Sequence, residues 1–313
     1  MRAADRPIVH PMRIPSSLEP WATRVTLPGS GRQLFCYDAG PRDAPAMMLV
    51  HGLGDEADTW RRVVAPLSQR FRVVAPDLPG FGRSPLPRHV RLRPPFLAAV
   101  LLELAAHLGL RETALVGSSL GALLCQVMAL SRPELVSRLV LVDGGLLAMN
   151  RFNPALLLML IPGIGERRYR GFASDLEAAW LSLFPYYANL GALPQEQRDF
   201  LRERVAERVT STSQMRAYFS SFRGLVTWMA LAGRRAGRRA SASGIPTMFI
   251  WGEQDQILPL AEGTSAHLQH RGSRLAVIPG AGHLPHQETP ERFLEAVAEA
   301  MARGPAAASA PTP

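Results

Sequence analysis

The sequence predicts an α/β fold, a mostly parallel doubly wound sheet with a helical cap inserted after the sixth strand. Three observations carry this. Short apolar, β-prone runs recur at Ala46–Val50, Thr113–Val116, Ser137–Val142 and Thr247–Trp251. They lack the polar alternation of a half-exposed strand and suit burial on both faces. Amphipathic helical segments separate most of them, which is the pattern of a parallel sheet covered on both sides. Between residue 146 and about 243 the alternation lapses into helical patterns alone, and afterwards it resumes.

Taken in order, residues 1–20 are proline-rich and read as an irregular arm. Trp21–Leu27 and Gln33–Tyr37 flank Pro28-Gly-Ser-Gly31 and read as a hairpin. A strand at Ala46–Val50 precedes a helix expected over Thr59–Gln69, with Trp60, Val63, Val64 and Leu67 on one face. Phe71–Ala75 is the next strand, Pro95–Leu108 a helix, Thr113–Val116 the central strand and Ser137–Val142 the sixth. The inserted region predicts a Leu/Met-rich segment and helices over Ala173–Leu183, Glu196–Val209 and Gln214–Leu231. Thr247–Trp251, a helix near Leu260–His270, the strand Arg274–Ile278 and a helix over Pro290–Ala302 close the pattern. The expected organisation is a core from 21–145 and 244–303, a helical cap from 146–243, and a disordered Ala/Pro-rich tail from 304–313.

With 47% hydrophobic and 19% charged residues, the 313-residue chain has the composition of a soluble globular enzyme and ample length for a core. Every basic side chain is arginine. Residues 146–243 hold fourteen of them against seven Asp and Glu, which reads as a solvated exterior. The run Arg234-Arg-Ala-Gly-Arg-Arg239 has no interleaved aromatics, so nucleic acid is not an expected partner. Cys36 and Cys125 are isolated from any metal-ligand spacing. The longest apolar run, Ala155–Ile164, is too short to span a bilayer and contains Pro162 and Gly163. No signal-peptide pattern opens the chain. A cytoplasmic protein without stable membrane insertion is expected.

The chemistry gathers after the strands. Gly117-Ser-Ser-Leu-Gly121 fits G-x-S-x-G between an apolar strand and an apolar helix. A sharp strand-to-helix turn needs glycines on both sides of its apex, and it sets Ser119 at a helix N-terminus where developing negative charge is favoured. His51-Gly-Leu-Gly54 follows the Ala46–Val50 strand, and Gly52 lets backbone approach a substrate closely. The N–H groups of Leu53 and Leu120 are the expected oxyanion donors. Asp255 follows the Thr247–Trp251 strand and His283 follows Arg274–Ile278. A serine hydroxyl needs an imidazole to take its proton, and the imidazole needs a carboxylate to fix its tautomer. The order Ser119, Asp255, His283 is that of the nucleophile-elbow hydrolases.

On these residues the chain resembles the α/β-hydrolase superfamily in its capped branch, over roughly residues 21–303. The likeness rests on His51-Gly52, the D-x-P-G-x-G-x-S segment Asp77–Ser84, the elbow Gly117–Gly121, the G-x-x-D-x-x-x-P loop Gly252–Pro259, and Gly280-Ala-Gly-His283 followed by Glu288-Thr-Pro290. The resemblance implies Ser119 as nucleophile, His283 as base and then acid, Asp255 as orienting carboxylate, and no metal or organic cofactor. Epoxide hydrolases and haloalkane dehalogenases of this fold place Asp at the apex, so Ser119 points to acyl transfer. The implied reaction is hydrolysis of a small-molecule carboxylic ester. C–C bond hydrolases acting on a vinylogous diketone resemble this triad too, but often carry Trp where this chain has Leu284. Acyltransferase or thioesterase activity and a small-molecule receptor of the same fold are the remaining alternatives.

Asp143 is a second candidate acid, and Glu253 is a neighbour of Asp255. Ser118 is expected to tune the site without attacking. His51 is expected to organise its loop, Asp77–Ser84 to form a structural turn, and His286 to support its loop or face the cap. Leu156, Trp228 and other cap apolar residues are candidates for an acyl pocket, although ordinary packing accounts for most such residues.

Overall fold

The computed structural model describes residues 12–147 and 158–302. Its sheet has eight strands: β1 (Ala22–Thr26), β2 (Gln33–Ala39), β3 (Ala46–Val50), β4 (Arg72–Pro76), β5 (Thr113–Ser118), β6 (Val136–Val142), β7 (Thr247–Gly252) and β8 (Arg274–Ile278). Their spatial order is β1-β2-β4-β3-β5-β6-β7-β8. β1 and β2 form the expected hairpin with Thr26 opposite Gln33, and β2 lies antiparallel to β4. All pairings from β4 to β8 are parallel. The chain leaves β3 for β4 on one flank and returns to β5 on the other. That reversal opens a crevice beyond the carboxyl ends of β3 and β5, where ligands of open α/β sheets bind.

The apolar strands are buried on both faces, and their alternation divides two core layers. Leu115, Leu139, Leu141, Phe249 and Trp251 enter one layer with Leu97, Leu101, Leu123 and Val127 of the helices Pro94–His107 and Leu120–Ser131. Val116, Val140, Val142, Met248 and Ile250 enter the other with Val64, Phe293 and Val297. A fully buried side chain such as Phe293 contributes about 1.5–3 kcal/mol relative to exposure.

Some helices differ from the sequence expectation. In place of Thr59–Gln69 there is a 3₁₀ turn at Ala57–Trp60 and a short helix at Val64–Ser68. Tertiary bonds claim the first turn, since Tyr37 donates to Asp58 Oδ1 at 2.5 Å and Thr59 Oγ1 meets His286 Nε2 at 2.9 Å. Pro66 also lacks the N–H that a longer helix would use. The expected Ala173–Leu183 helix is two, Ile164–Ser174 and Leu176–Leu181, because Asp175 caps Ala178 N at 2.9 Å and starts the second. Gln195–Thr210 and Thr212–Trp228 follow, the latter running through a π turn at Met229–Gly233 into a further helix at Arg234–Ser241. In that last helix Ala236, Gly237 and Ala240 face inward and the four arginines are exposed. The arginine run is a solvated face.

Asp77–Ser84 is a turn held by charge. Asp77 Oδ1 accepts from Ala57 N at 2.7 Å, and its Oδ2 accepts from Arg83 N at 2.7 Å and Arg83 Nε at 2.9 Å. Arg83 also reaches Asp58 at 2.9 Å and lies 4.0 Å over the Phe35 ring. A Cβ on Gly82 would lie 2.3 Å from Asp77 Oδ2. Among the described residues, no helix is long and apolar enough to cross a membrane.

Removing one member of a buried ion cluster strands the others. Arg83→Leu is expected to lower stability by about 3–5 kcal/mol, read as a lower urea midpoint. Both cysteines are buried, and burial pushes the Cys36 thiol up to about 12 and that of Cys125 higher. Neither thiol is expected to react with a disulfide reagent at about pH 8 until the protein is unfolded in denaturant.

Candidate active site

The turn after β5 is built by close backbone contact. A Cβ on Gly117 would lie 2.3 Å from Gly121 O, and one on Gly121 would lie 2.0 Å from Val50 O. Only glycine fits either position, so the Leu120–Ser131 helix leaves the sheet directly beside β3. The apex, Ser119, has φ 54° and ψ −114°, a conformation that costs a non-glycine residue about 1–3 kcal/mol. Ser119 N donates to Val142 O at 2.8 Å, which holds the apex against the end of β6. Gly144 presses from the other side, since a Cβ there would meet Ser119 O at 2.5 Å and Ser119 Cα at 2.7 Å. The G-x-S-x-G pattern does not reveal Gly144. Its role depends on β6 lying beside β5.

His283 follows β8 and is buried. Its Nδ1 is 2.7 Å from Asp255 Oδ2, so Nδ1–H donates to the carboxylate and Nε2 is left unprotonated. Nε2 is buried and has no hydrogen-bond partner among the described residues. Asp255 Oδ1 accepts from Ile257 N at 2.7 Å and Leu258 N at 2.9 Å. His283 N donates to Tyr186 O at 2.9 Å, and the Tyr186 ring meets the imidazole edge-on at 5.8 Å. The inserted helices therefore help to seat the histidine.

Ser119 and His283 open on one cavity of about 440 Å³. Gly52, Leu53, Ser118 and Leu284 also line it, and the insertion adds Tyr169, Phe172, Leu183, Leu201, Val205 and Tyr218. Leu120 lies at the first turn of its helix beneath Ser119. Neither its N–H nor that of Leu53 has an acceptor among the described residues. Trp228 does not line the cavity. It is partly buried and packs against the first core layer, because the Thr212–Trp228 helix has turned away from the crevice by its last turn. Leu156 lies outside the described residues.

The other candidates are engaged elsewhere. His51 Nδ1 is 2.8 Å from Gly52 O, and Leu78 N donates to its Nε2 at 2.9 Å. That pair of bonds makes Nδ1 the protonated nitrogen and ties the loop after β3 to the loop after β4. His286 stacks on Trp60 at 4.2 Å and meets Thr59, away from the cavity. Burial pushes it down to about 3, so it stays neutral and supports its own loop. Glu253 accepts from Gly280 N at 3.2 Å. Asp143 is buried behind Asp255, with Oδ1 accepting from Gly252 N at 2.8 Å.

No local sequence pattern marks the paired charges in the cavity wall. Arg208, from the Gln195–Thr210 helix, donates to Glu56 at 2.7 and 2.8 Å and to Asp55 at 2.9 Å. Those carboxylates follow the Gly52–Gly54 loop. Burial pushes the Glu56 carboxyl up, opposed by Arg208. Arg208 and Asp55 both line the cavity, as does Arg168, and Arg208 is already satisfied by its two carboxylates. Arg168 is exposed at the rim.

Residues 45–290 match the family described as the alpha/beta hydrolase fold. The chain belongs to that family. This α/β-hydrolase is 28% identical over 254 residues to the pimeloyl-[acyl-carrier protein] methyl ester esterase of Aeromonas hydrophila, spanning 81% of this chain and 94% of that one. It is 29% identical over 264 residues to the 2-hydroxy-6-oxononadienedioate/2-hydroxy-6-oxononatrienedioate hydrolase of Burkholderia vietnamiensis, spanning 82% and 87%. Among solved structures, the 2-hydroxy-6-oxo-6-phenylhexa-2,4-dienoate hydrolase of a Rhodococcus strain superposes with a TM-score of 0.72 at 22% identity, over 89% of this chain and 98% of that one. A thermophilic esterase of Thermogutta terrifontis superposes with a TM-score of 0.69 at 24% identity, over 89% and 97%. Likeness to the two solved structures at these identities shows the fold. The family and the curated relatives support hydrolase activity without fixing a substrate.

Gly144→Ala is expected to push the Ser119 backbone out of place and lower turnover by about 100-fold. Steady-state kinetics beside circular dichroism check that the fold survives while kcat falls.

Proposed function

We propose that this α/β-hydrolase is a serine carboxylic ester hydrolase. The observation that carries the reading is the His283–Asp255 pair at 2.7 Å, with His283 Nε2 free and both His283 and Ser119 facing one mostly apolar cavity. In the proposed reaction Ser119 Oγ attacks the ester carbonyl carbon while His283 Nε2 takes its proton. The carbonyl π electrons move onto oxygen, which the Leu53 and Leu120 N–H groups stabilise. Collapse of this intermediate breaks the C–O bond, and the leaving alkoxide takes the proton from His283. Water, deprotonated by His283, then attacks the acyl-enzyme carbonyl, and collapse breaks the bond to Ser119 Oγ, which takes the proton back from His283 as the acid leaves. In this reading the helices between β6 and β7 are the cap, and Tyr169, Phe172, Leu201, Val205 and Tyr218 bound the acyl chain.

The state of Arg208 favours a neutral ester over an anionic dienoate. Among the cations lining the cavity, a carboxylate-bearing substrate would have to pair with the exposed Arg168, since Arg208 is already held by Asp55 and Glu56. Leu284, on the cavity wall, offers an apolar contact where the C–C hydrolases often carry an indole. The esterase name of the Aeromonas relative agrees with this choice, and the Burkholderia relative keeps C–C hydrolysis as the second reading.

The test is hydrolysis of p-nitrophenyl esters from acetate to dodecanoate. Wild-type turnover is expected to peak within the series, and Ser119→Ala and His283→Ala are each expected to lower kcat by at least about 1000-fold with the fold intact. Turnover undiminished in Ser119→Ala would overturn the serine mechanism. A folded wild type that is inert on every ester but cleaves a vinylogous diketone would overturn the ester assignment.

A further inference from the structure

Behind the triad lies a second carboxyl group that the reaction above does not use. Asp143 directly follows β6 in a left-handed conformation, φ 45°, and is wholly buried. Its N–H donates to Ile250 O at 3.0 Å, and its Oδ1 accepts from Gly252 N at 2.8 Å. Its Oδ2 is buried and receives no N–H or O–H from the described residues. One side-chain N or O atom from each of Asp143, Asp255 and His283 lies within 4.8 Å of the other two, so the Asp143 and Asp255 carboxyls adjoin.

The donors decide the protonation. Asp255 receives three, from Ile257 N, Leu258 N and His283 Nδ1. Asp143 receives one, and that goes to Oδ1. Two adjoining buried carboxyls cannot both ionise, and the one with fewer donors keeps the proton. The groups facing Asp143 are Asp255, His283 and Glu288. Glu288 adds negative charge while its own oxygens accept from Gly282 N at 2.6 Å and Ala188 N at 2.8 Å.

We infer that Asp143 is a neutral carboxylic acid whose Oδ2–H donates to the Asp255 carboxylate, making it the positioning residue for the triad's acid. Burial, and then the Asp255 charge, raise its carboxyl well above the usual range. Because the folded state raises that value, the proton persists up to it, while the stabilisation it brings is full only below the ordinary carboxyl value and is lost as pH rises from there through the raised one. The Oδ2–H bond fills the remaining acceptor site of Asp255, fixes its rotamer and tempers its basicity, and through it the basicity of His283. β6 thereby registers on the β7 loop both through Gly252 N–H and through this proton.

The inference rests on the triad proposed above, and its test separates the two. Asparagine imitates the neutral acid, since its Oδ1 accepts from Gly252 N–H and its Nδ2–H₂ donates to Asp255. Leucine does neither. On the best p-nitrophenyl ester, Asp143→Asn is expected to keep kcat within about threefold of wild type, and Asp143→Leu to lose about 10–100-fold in kcat at similar KM. The acid limb of kcat/KM is expected to move to higher pH in Asp143→Leu only, because Asp255 without its donor makes His283 more basic. Asp143→Asn as impaired as Asp143→Leu, or Asp143→Leu as active as wild type, would overturn the inference. Infrared difference spectra of wild type minus Asp143→Asn supply a readout that needs neither turnover nor a folded leucine variant. A protonated carboxylic acid band at neutral pH is expected, and its absence would overturn the inference. Failure of the triad itself would show separately, as turnover retained in Ser119→Ala.

Discussion

The site depends on how closely two backbones meet beneath Ser119. Gly121 sits so near the carbonyl of Val50 that no side chain fits between them, and that contact fixes where the Leu120–Ser131 helix leaves the sheet. From it follow the left-handed apex and the opening of Ser119 onto the cavity that Leu53 also lines. Gly144 at the end of β6 closes the same vice from the opposite flank. Three neighbouring strands, β3, β5 and β6, thus hold one strained residue, and the sheet core supplies the stability that sustains the strain.

Charge does a second kind of work in joining the insertion to the sheet. Besides Arg208, Arg204 reaches Asp58 at 3.2 Å, and Asp58 is also bound by Arg83 and Tyr37. Arg61 reaches Gln197 at 2.8 Å and Gln287 at 3.1 Å. The inserted helices are therefore tied to the loop after β3, the turn after β4 and the segment after His283. Part of the arginine excess of this region is structural cation, and part is the exposed face of Arg234–Ser241.

Much of this was legible in the sequence because it rests on short-range rules. Apolar runs without alternation marked the buried strands, and the glycines around Ser119 marked the turn. Asp255 and His283 could be placed because each follows a strand whose carboxyl end faces the crevice. What could not be read depends on partners distant in sequence. Gly144 matters only because β6 neighbours β5. Asp175 breaks a helix that propensity alone would continue, and Asp58 and Thr59 give up their helix to bonds with Tyr37 and His286. Trp228 had the chemistry of a pocket residue, but its position along the helix sends it to the core. The Arg208 contact joins residues more than 150 positions apart, which no local pattern encodes.

That contact has an evolutionary consequence. Arg208 belongs to the cavity wall and is bonded to Asp55 and Glu56 of the loop that carries Leu53, so a change in one bears on the other. Drift in the Gln195–Thr210 helix toward a new cavity shape would disturb the loop that carries Leu53, and selection would see the two changes together. Diversification should then concentrate on walls without such a tether, around Phe172, Leu183 and Tyr218, leaving the Arg208 side as the conservative half of the cavity.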